Sequence, residues 1–156
     1  MKEHNTKTLQ IYTYAPSLLV FVVIIGFMLD SFFPTQYFFA PWTQYIGMGL
    51  IFAGTLIVVW AMNSLKIIRR RIKKREGIHL YTGAYRYVRH PDYLGYVCIS
   101  FGFGFLLQST MILALAALFV FALRTIMDKK ETHLVNDDSP MREHYIEYKK
   151  KVKRFF

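Results

Sequence analysis

Residues 93–123 read YLGYVCISFGFGFLLQSTMILALAALFVFAL, a run of 31 residues without a charged side chain. Its one polar cluster is Gln108-Ser109-Thr110. A helix needs about 20 apolar residues to cross a bilayer core of about 30 Å, so this run is too long for one upright helix and short for two. The run therefore predicts a tight helical hairpin with arms at 92–107 and 111–127.

Two further charge-free runs precede it, at 8–29 and 31–65. The first fits one span at 11–29, and the second fits a span at 43–65 after a connection that Pro34 and Pro41 punctuate. The sequence thus predicts an all-α integral membrane bundle of about four transmembrane helices. Within the hairpin, three glycines are expected to allow close packing on a neighbouring helix: Gly95, Gly102 and Gly104.

Composition agrees with a membrane protein. The chain has 156 residues, of which 54% are hydrophobic and only 19% are charged. Such an apolar chain must bury its surface, which excludes intrinsic disorder, and a single cysteine excludes an internal disulfide framework. The length fits a single membrane domain over 1–156.

The formal charge of +10 comes from basic residues placed before the first span, after the second and after the fourth. The positive-inside rule then predicts that both termini, the loop 66–91 and the tail 128–156 are cytoplasmic. The membrane would be the plasma or inner membrane in a bacterium or archaeon, and the endoplasmic reticulum in a eukaryote. The basic run 66–75 lacks stacking aromatics, so it favours anionic lipid head groups over nucleic acid as a partner.

Residues 79–95, HLYTGAYRYVRHPDYLG, concentrate polar and aromatic side chains at a membrane boundary. Proline fits the first turn of a helix, so Pro91 is expected to open the third span with His90 near its cap. The free N–H groups of such a helix start suit a carboxylate or phosphate. Tyr85 and Tyr93 fit an interfacial aromatic belt equally well, and His90 could serve only as a cap.

A second polar cluster begins where the fourth span ends. Asp128 and Glu131 would share one helix face by their i, i+3 spacing, although Glu131 could also be a solvated charge at a helix end. Residues 141–156 form an amphipathic stretch that predicts a cytosolic C-terminal helix. The chain has no HExxH or similar ligand spacing, so no metal site is predicted.

These segments resemble the isoprenylcysteine carboxyl methyltransferase and phospholipid methyltransferase family. Residues 82–95 are similar to its GxYxxxRHPxYxG signature, and residues 60–65, WAMNSL, to the preceding WAxxxLG, although Lys66 replaces the glycine of that pattern. Residues 130–134, KETHL, and 145–155, YIEYKKKVKRF, resemble its EExxL and YxxYxxxVxRF tail. Lys130 departs from the pattern, because it occupies the place of the first acid.

The resemblance implies S-adenosylmethionine as cofactor and methyl transfer, expected to be O-methylation, to a lipophilic acceptor at the cytosolic membrane face. The acceptor would be an isoprenylcysteine-type carboxylate or another lipid carboxyl or hydroxyl group. The catalytic residues would be Arg89 and Glu131. The cofactor-binding residues that the resemblance implies are His79, Leu80, Gly83, Tyr85, His90, Pro91, Tyr93, Leu94 and Glu131.

Two other functions stay open at this point. Membrane NADPH-dependent reductases of the sterol-reductase type carry a similar loop, but with a glutamate after the glycine where this chain has Tyr96. A non-catalytic membrane protein that retains the fold is the other, because Lys130 replaces an acid. The expected partners are a lipophilic or lipidated substrate and membrane lipids, and the sequence specifies no oligomeric state.

Overall fold

The computed structural model of the chain describes residues 14–32, 40–73, 80–136 and 141–154. Within these ranges the chain is almost entirely helical, with one isolated β-bridge between Val88 and Lys153. The elements are α1 (Tyr14–Phe32), α2 (Thr43–Lys73), a short 3₁₀ helix (Gly83–Arg86), α3 (Pro91–Leu106), α4 (Thr110–Asn136) and α5 (Met141–Lys151). The predicted all-α class is confirmed.

Three of these helices are long and apolar enough to cross a membrane, through the segments Ala15–Phe32, Thr43–Arg71 and Thr110–Asn136. Their outward faces carry exposed large apolar side chains such as Phe21, Phe52 and Phe121, as expected of surfaces that meet lipid. The remaining predicted span corresponds to α3, whose 16 residues make about 24 Å of helix. This helix is shorter than an average hydrocarbon core of about 30 Å.

Two helices are longer than the predicted spans. Residues 66–73 continue α2 and are not part of a loop, and residues 128–136 continue α4 beyond the predicted span end. The first extension is rich in Lys and Arg, the second carries Lys129, Lys130 and Glu131, and neither contains Gly or Pro. These residues have good helix propensity, so loss of apolar character does not end the helix. The extensions place polar side chains on rigid helices beyond the apolar segments.

The predicted hairpin between α3 and α4 is confirmed. Its turn contains Gln108 at a φ of 52°, and the amide of Ser109 donates to the carbonyl of Gly104 at 3.0 Å. The Ser109 hydroxyl accepts from the amide of Ile112 at 3.1 Å and so caps the start of α4.

Glycines bring α3 against α2. A Cβ on Gly95 would lie 2.7 Å from the carbonyl oxygen of Gly54, and one on Gly102 would lie 2.9 Å from that of Gly47. Because real Cβ contacts are longer, only glycine permits this backbone approach. Gly104 packs against α4, where a Cβ would lie 2.7 Å from Cγ of the Leu113 side chain. The sequence-based expectation for all three hairpin glycines is therefore confirmed.

Two apolar clusters flank the polar residues of interest. One joins α1, α3 and α4 through Ala15, Tyr93, Phe119, Leu123 and Met127. The other joins α5 to the end of α4 and the loop before α3. It is built from Tyr145, Tyr148 and Val152, with Leu80, Leu134 and Val135 packed against them.

Candidate functional site

The loop that leads into α3 is fixed on α2. Gly83 adopts a φ of 56°, a left-handed conformation that favours glycine, and a Cβ there would collide with the Ser64 hydroxyl. That hydroxyl accepts from the amide of Ala84 at 3.1 Å and donates to the carbonyl of Trp60 at 2.8 Å. The 3₁₀ turn that carries Tyr85 is thereby anchored to α2.

The start of α3 is as predicted. Pro91 is buried at the first turn, and His90 is the N-cap residue. The His90 side chain makes no capping hydrogen bond. Because the first N–H groups of a helix have no partner within the helix, this end presents donors and a partial positive charge.

Glu131 of α4 lies at the centre of the polar cluster, with its side chain 1% exposed. Its oxygens accept from Arg89 Nη1 at 2.8 Å and from Arg154 Nε and Nη2 at 2.9 and 3.0 Å. His90 Nε2 lies 3.2 Å from Oε1, and Lys149 Nζ lies 3.2 Å from Oε2. A carboxylate offers about four lone-pair positions, so these nitrogens occupy its accepting capacity.

Arg154, in the C-terminal segment, binds two acidic residues of α4. Arg154 Nη1 contacts Asp128 Oδ1 at 2.7 Å while the same guanidinium binds Glu131. The predicted common face of Asp128 and Glu131 is thus confirmed. The hydrogen bonds to Glu131 raise the pKa of Arg154 above its ordinary value.

Backbone pairing ties the same segment to the loop before α3. The amide of Arg89 donates to the carbonyl of Lys153 at 3.0 Å, and the Tyr148 hydroxyl donates to the carbonyl of Tyr85 at 2.6 Å. Burial raises the pKa of Tyr148 well above its ordinary value, so the phenol stays protonated and can donate. We call residues 145–154 the C-terminal strap.

Tyr93 forms the inner wall of the cluster and is 1% exposed. Its ring stacks on that of His90, with centroids 5.6 Å apart and planes inclined by 19°. The Lys130 ammonium lies 4.5 Å from the centroid of the Tyr93 ring, within the range of cation–π attraction.

The structure brings Arg89, His90, Tyr93 and Glu131 together, as a shared site requires. Pro91 is buried beside them. The other predicted residues that the structure describes take peripheral places. Gly83 contacts Ser64, Tyr85 and Leu80 adjoin the C-terminal strap, and the Leu94 amide donates to the carbonyl of His90 at 3.3 Å. His79 lies outside the described residues.

Sequence reasoning missed Lys149 and Arg154, and it treated Lys130 only as a departure from a pattern. The basic residues of the tail were interpreted as a topology signal. Nothing in their spacing distinguishes the two that reach Glu131 from the exposed Lys150 and Lys151. Only the fold shows which cations return to the carboxylate.

Comparison with known proteins gives one match. A family model described as phospholipid methyltransferase matches residues 42–137, which include α2, α3, α4 and the loop between α2 and α3. No curated protein matches the chain. No solved structure matches it either.

Proposed function

Because the chain belongs to the phospholipid methyltransferase family of membrane enzymes that act on lipid-type substrates, we propose that it uses S-adenosylmethionine to methylate an oxygen of a lipophilic acceptor. One observation carries this proposal. The residues of the RHPxYxG signature and Glu131 converge at the start of α3, at the end of apolar helices. A water-soluble methyl donor and a lipid could both reach such a boundary, and we place it on the cytosolic side from the positive-inside rule.

The Arg89 side chain shows whether the residues at the start of α3 suit an anionic ligand. Its side chain is 10% exposed, and its Nε is buried and donates no hydrogen bond within the part of the chain that the structure describes. A buried donor without an acceptor costs free energy unless a ligand supplies one. The residues at the start of α3 therefore suit the carboxylate of the cofactor or an anionic oxygen of the acceptor.

We assign the contacts by the chemistry of each side chain. His90 and the first turn of α3 at Pro91 would hold the cofactor carboxylate. The rings of Tyr85 and Tyr93 would contact its adenine or sulfonium. Leu80, Gly83, Leu94 and His79 would complete the cofactor site by their match to the family signature.

Glu131 would act through its neighbours. Because the oxygens of its carboxylate already accept from Arg89, Arg154 and His90, an amine of the cofactor would have to displace one of them. We therefore propose that Glu131 orients Arg89 and His90, and that Arg89 is the residue that positions the acceptor oxygen.

When bound, S-adenosylmethionine would supply a methyl group from its sulfonium to an anionic acceptor oxygen, whereas a neutral hydroxyl would also have to give its proton to a base, for which His90 or Glu131 is the candidate. The task of the protein is then to align and shield the reactants, and no nucleophilic side chain is required. Buried Tyr93 and Pro91 would exclude water, while Arg89 would hold the acceptor oxygen in place.

Equilibrium binding to detergent-purified protein tests the cofactor. We expect S-adenosylmethionine to bind and NADPH not to bind. His90→Ala and Glu131→Ala should each weaken binding at least tenfold, because both remove a contact of the cluster. His144→Ala is the matched control, since His144 is exposed on α5. Binding of NADPH alone, or unchanged affinity in both variants, would contradict the assignment.

Labelled cofactor tests the chemistry. Lipid extracts incubated with the enzyme and methyl-labelled S-adenosylmethionine should yield a labelled lipid. A methyl ester releases labelled methanol on mild alkaline hydrolysis, whereas methyl groups on nitrogen are retained. Retention of all label in the lipid would exclude methyl-ester formation, and mass spectrometry of the product would identify the acceptor.

A further inference from the structure

The partners of Glu131 form an inner and an outer pair. Arg89 and His90 come from the start of α3, and their side chains are only 10% and 11% exposed. Lys149 and Arg154 come from the C-terminal strap, and their side chains are 43% and 29% exposed. A ligand that approaches Glu131 from solvent would therefore meet the strap cations first.

The inner pair is held by more than its contacts with Glu131. The His90 ring stacks on that of buried Tyr93. The 3₁₀ turn that precedes Arg89 is anchored to α2 by the hydrogen bond between the Ser64 hydroxyl and the amide of Ala84. A competing cation would have to disrupt this packing to replace the inner pair, whereas the outer pair is partly in solvent already.

Arg154 has a second acceptor within reach of the same guanidinium. Its Nε and Nη2 donate to Glu131 at 2.9 and 3.0 Å, while its Nη1 lies 2.7 Å from Asp128 Oδ1. The Asp128 side chain is 54% exposed. A guanidinium that turned toward Asp128 would keep a charged partner, and Glu131 would lose a donor that binds both of its oxygens. Arg154 is therefore the partner that Glu131 can exchange while both groups stay paired.

We propose that Arg154 is an internal competitor for the place of the cofactor's ammonium group on Glu131. This inference rests on the proposed function, because it takes the ligand to be S-adenosylmethionine, whose amino-acid end carries that ammonium. The ammonium displaces the guanidinium toward Asp128, while Arg89 and His90 remain on Glu131. The apparent affinity for the cofactor is then lowered, because the binding-competent state is only a fraction of the free protein.

Paired ligands test the competition without requiring turnover. S-adenosylhomocysteine carries the ammonium group, and its deamino analogue has a hydrogen atom in that place. Isothermal titration calorimetry on detergent-purified protein gives both dissociation constants. Arg154→Gln should raise the ratio of the deamino Kd to the S-adenosylhomocysteine Kd at least fivefold, because Glu131 is then open to the ammonium. Lys150→Gln is the matched control, since it removes the same charge from an exposed position of the strap and should leave the ratio unchanged.

Hydrogen exchange tests the displacement in the unaltered protein. The amide of Arg89 donates to the carbonyl of Lys153, the residue before Arg154, so its protection reports whether this end of the strap is docked. At saturation with each ligand, the Arg89 amide should exchange at least threefold faster in the S-adenosylhomocysteine complex than in the deamino complex.

Two results would overturn the inference alone. A ratio that is unchanged or lower in folded Arg154→Gln would mean that Arg154 does not compete with the ammonium. Equal exchange of the Arg89 amide in the two wild-type complexes would overturn it even if Arg154→Gln does not fold. Failure of the proposed function would appear differently, as absence of binding of either ligand to the wild type and to both variants, and the inference would fall with it.

Discussion

Gly83 shows how one residue connects α2 to the candidate site. At a φ of 56°, a non-glycine residue is strained, and an added Cβ would also collide with Ser64. We expect Gly83→Ala to destabilise the protein by about 1–3 kcal/mol, the typical cost of a strained backbone position. The measurement is the thermal unfolding midpoint in detergent.

Gly49→Ala is the matched control for that substitution. Gly49 lies within α2, and nothing lies within 4 Å of an added Cβ. Alanine should stabilise the helix there by about 0.5–1 kcal/mol, because glycine loses more backbone entropy. Equal midpoints for the two variants would contradict the proposed strain at Gly83.

Glu131 holds the polar cluster together by charge. Glu131→Gln removes a buried carboxylate and leaves Arg89 and Arg154 without their common partner. Breaking a buried ion pair in this way costs about 3–5 kcal/mol. We expect a clear fall in the thermal midpoint.

Glu147→Gln removes only an exposed pair with Lys151 and should leave the midpoint unchanged. Equal midpoints would show that the cluster contributes little to stability.

At the scale of elements, the C-terminal strap contributes contacts to the candidate site that α3 and α4 alone do not provide. Arg154 binds both acidic residues of α4, and the carbonyl of Lys153 accepts from the amide of Arg89. The strap and the loop before α3 are therefore expected to open together. The family model matches residues 42–137 only, so it does not cover the contacts of the strap.

Hydrogen exchange tests that coupling. In Arg154→Gln, the amide of Arg89 should exchange at least tenfold faster, because it loses protection when Lys153 moves away. Lys150→Gln removes the same charge from an exposed position on α5 and should not change the exchange rate. Unchanged protection in Arg154→Gln would mean that backbone pairing holds the strap without its ion pairs.

At the scale of the molecule, the charges and the helices together predict one topology. The turn between α3 and α4 has no basic residue, whereas α5 carries Lys149, Lys150 and Lys151 in its last turn. We therefore expect these two regions on opposite sides of the membrane, with α5 in the cytoplasm.

Cysteine labelling in intact cells checks this topology. In a Cys98→Ser background, Leu107→Cys should react with a membrane-impermeant maleimide, because the turn faces outward. Lys150→Cys should react only after the membrane is permeabilised. Both positions are exposed, so accessibility in the protein does not limit the comparison. Labelling of Lys150→Cys in sealed cells would reverse the predicted orientation.

The sequence alone determined the helical class, the hairpin and the helix start at Pro91. Charge-free length, polar breaks and a proline at the first turn are properties of neighbouring residues, so they can be read along the chain. The family signature likewise predicted a site that contains Arg89, His90 and Glu131, and the structure places these three side chains in contact. The helices α2 and α4 extend beyond the predicted spans at 43–65 and 111–127, because charged residues end a membrane span but not a helix.

Only the tertiary structure decided which cations complete the site. Arg154 and Glu131 are 23 residues apart, and Arg89 and Glu131 are 42 apart. The tail offers several basic residues of similar chemistry, and which of them reach the buried carboxylate of Glu131 depends on how the strap packs against the loop before α3. The same holds for Lys130, whose burial over Tyr93 depends on the way α3 and α4 meet. Contacts between distant segments are set by packing, which no local pattern encodes.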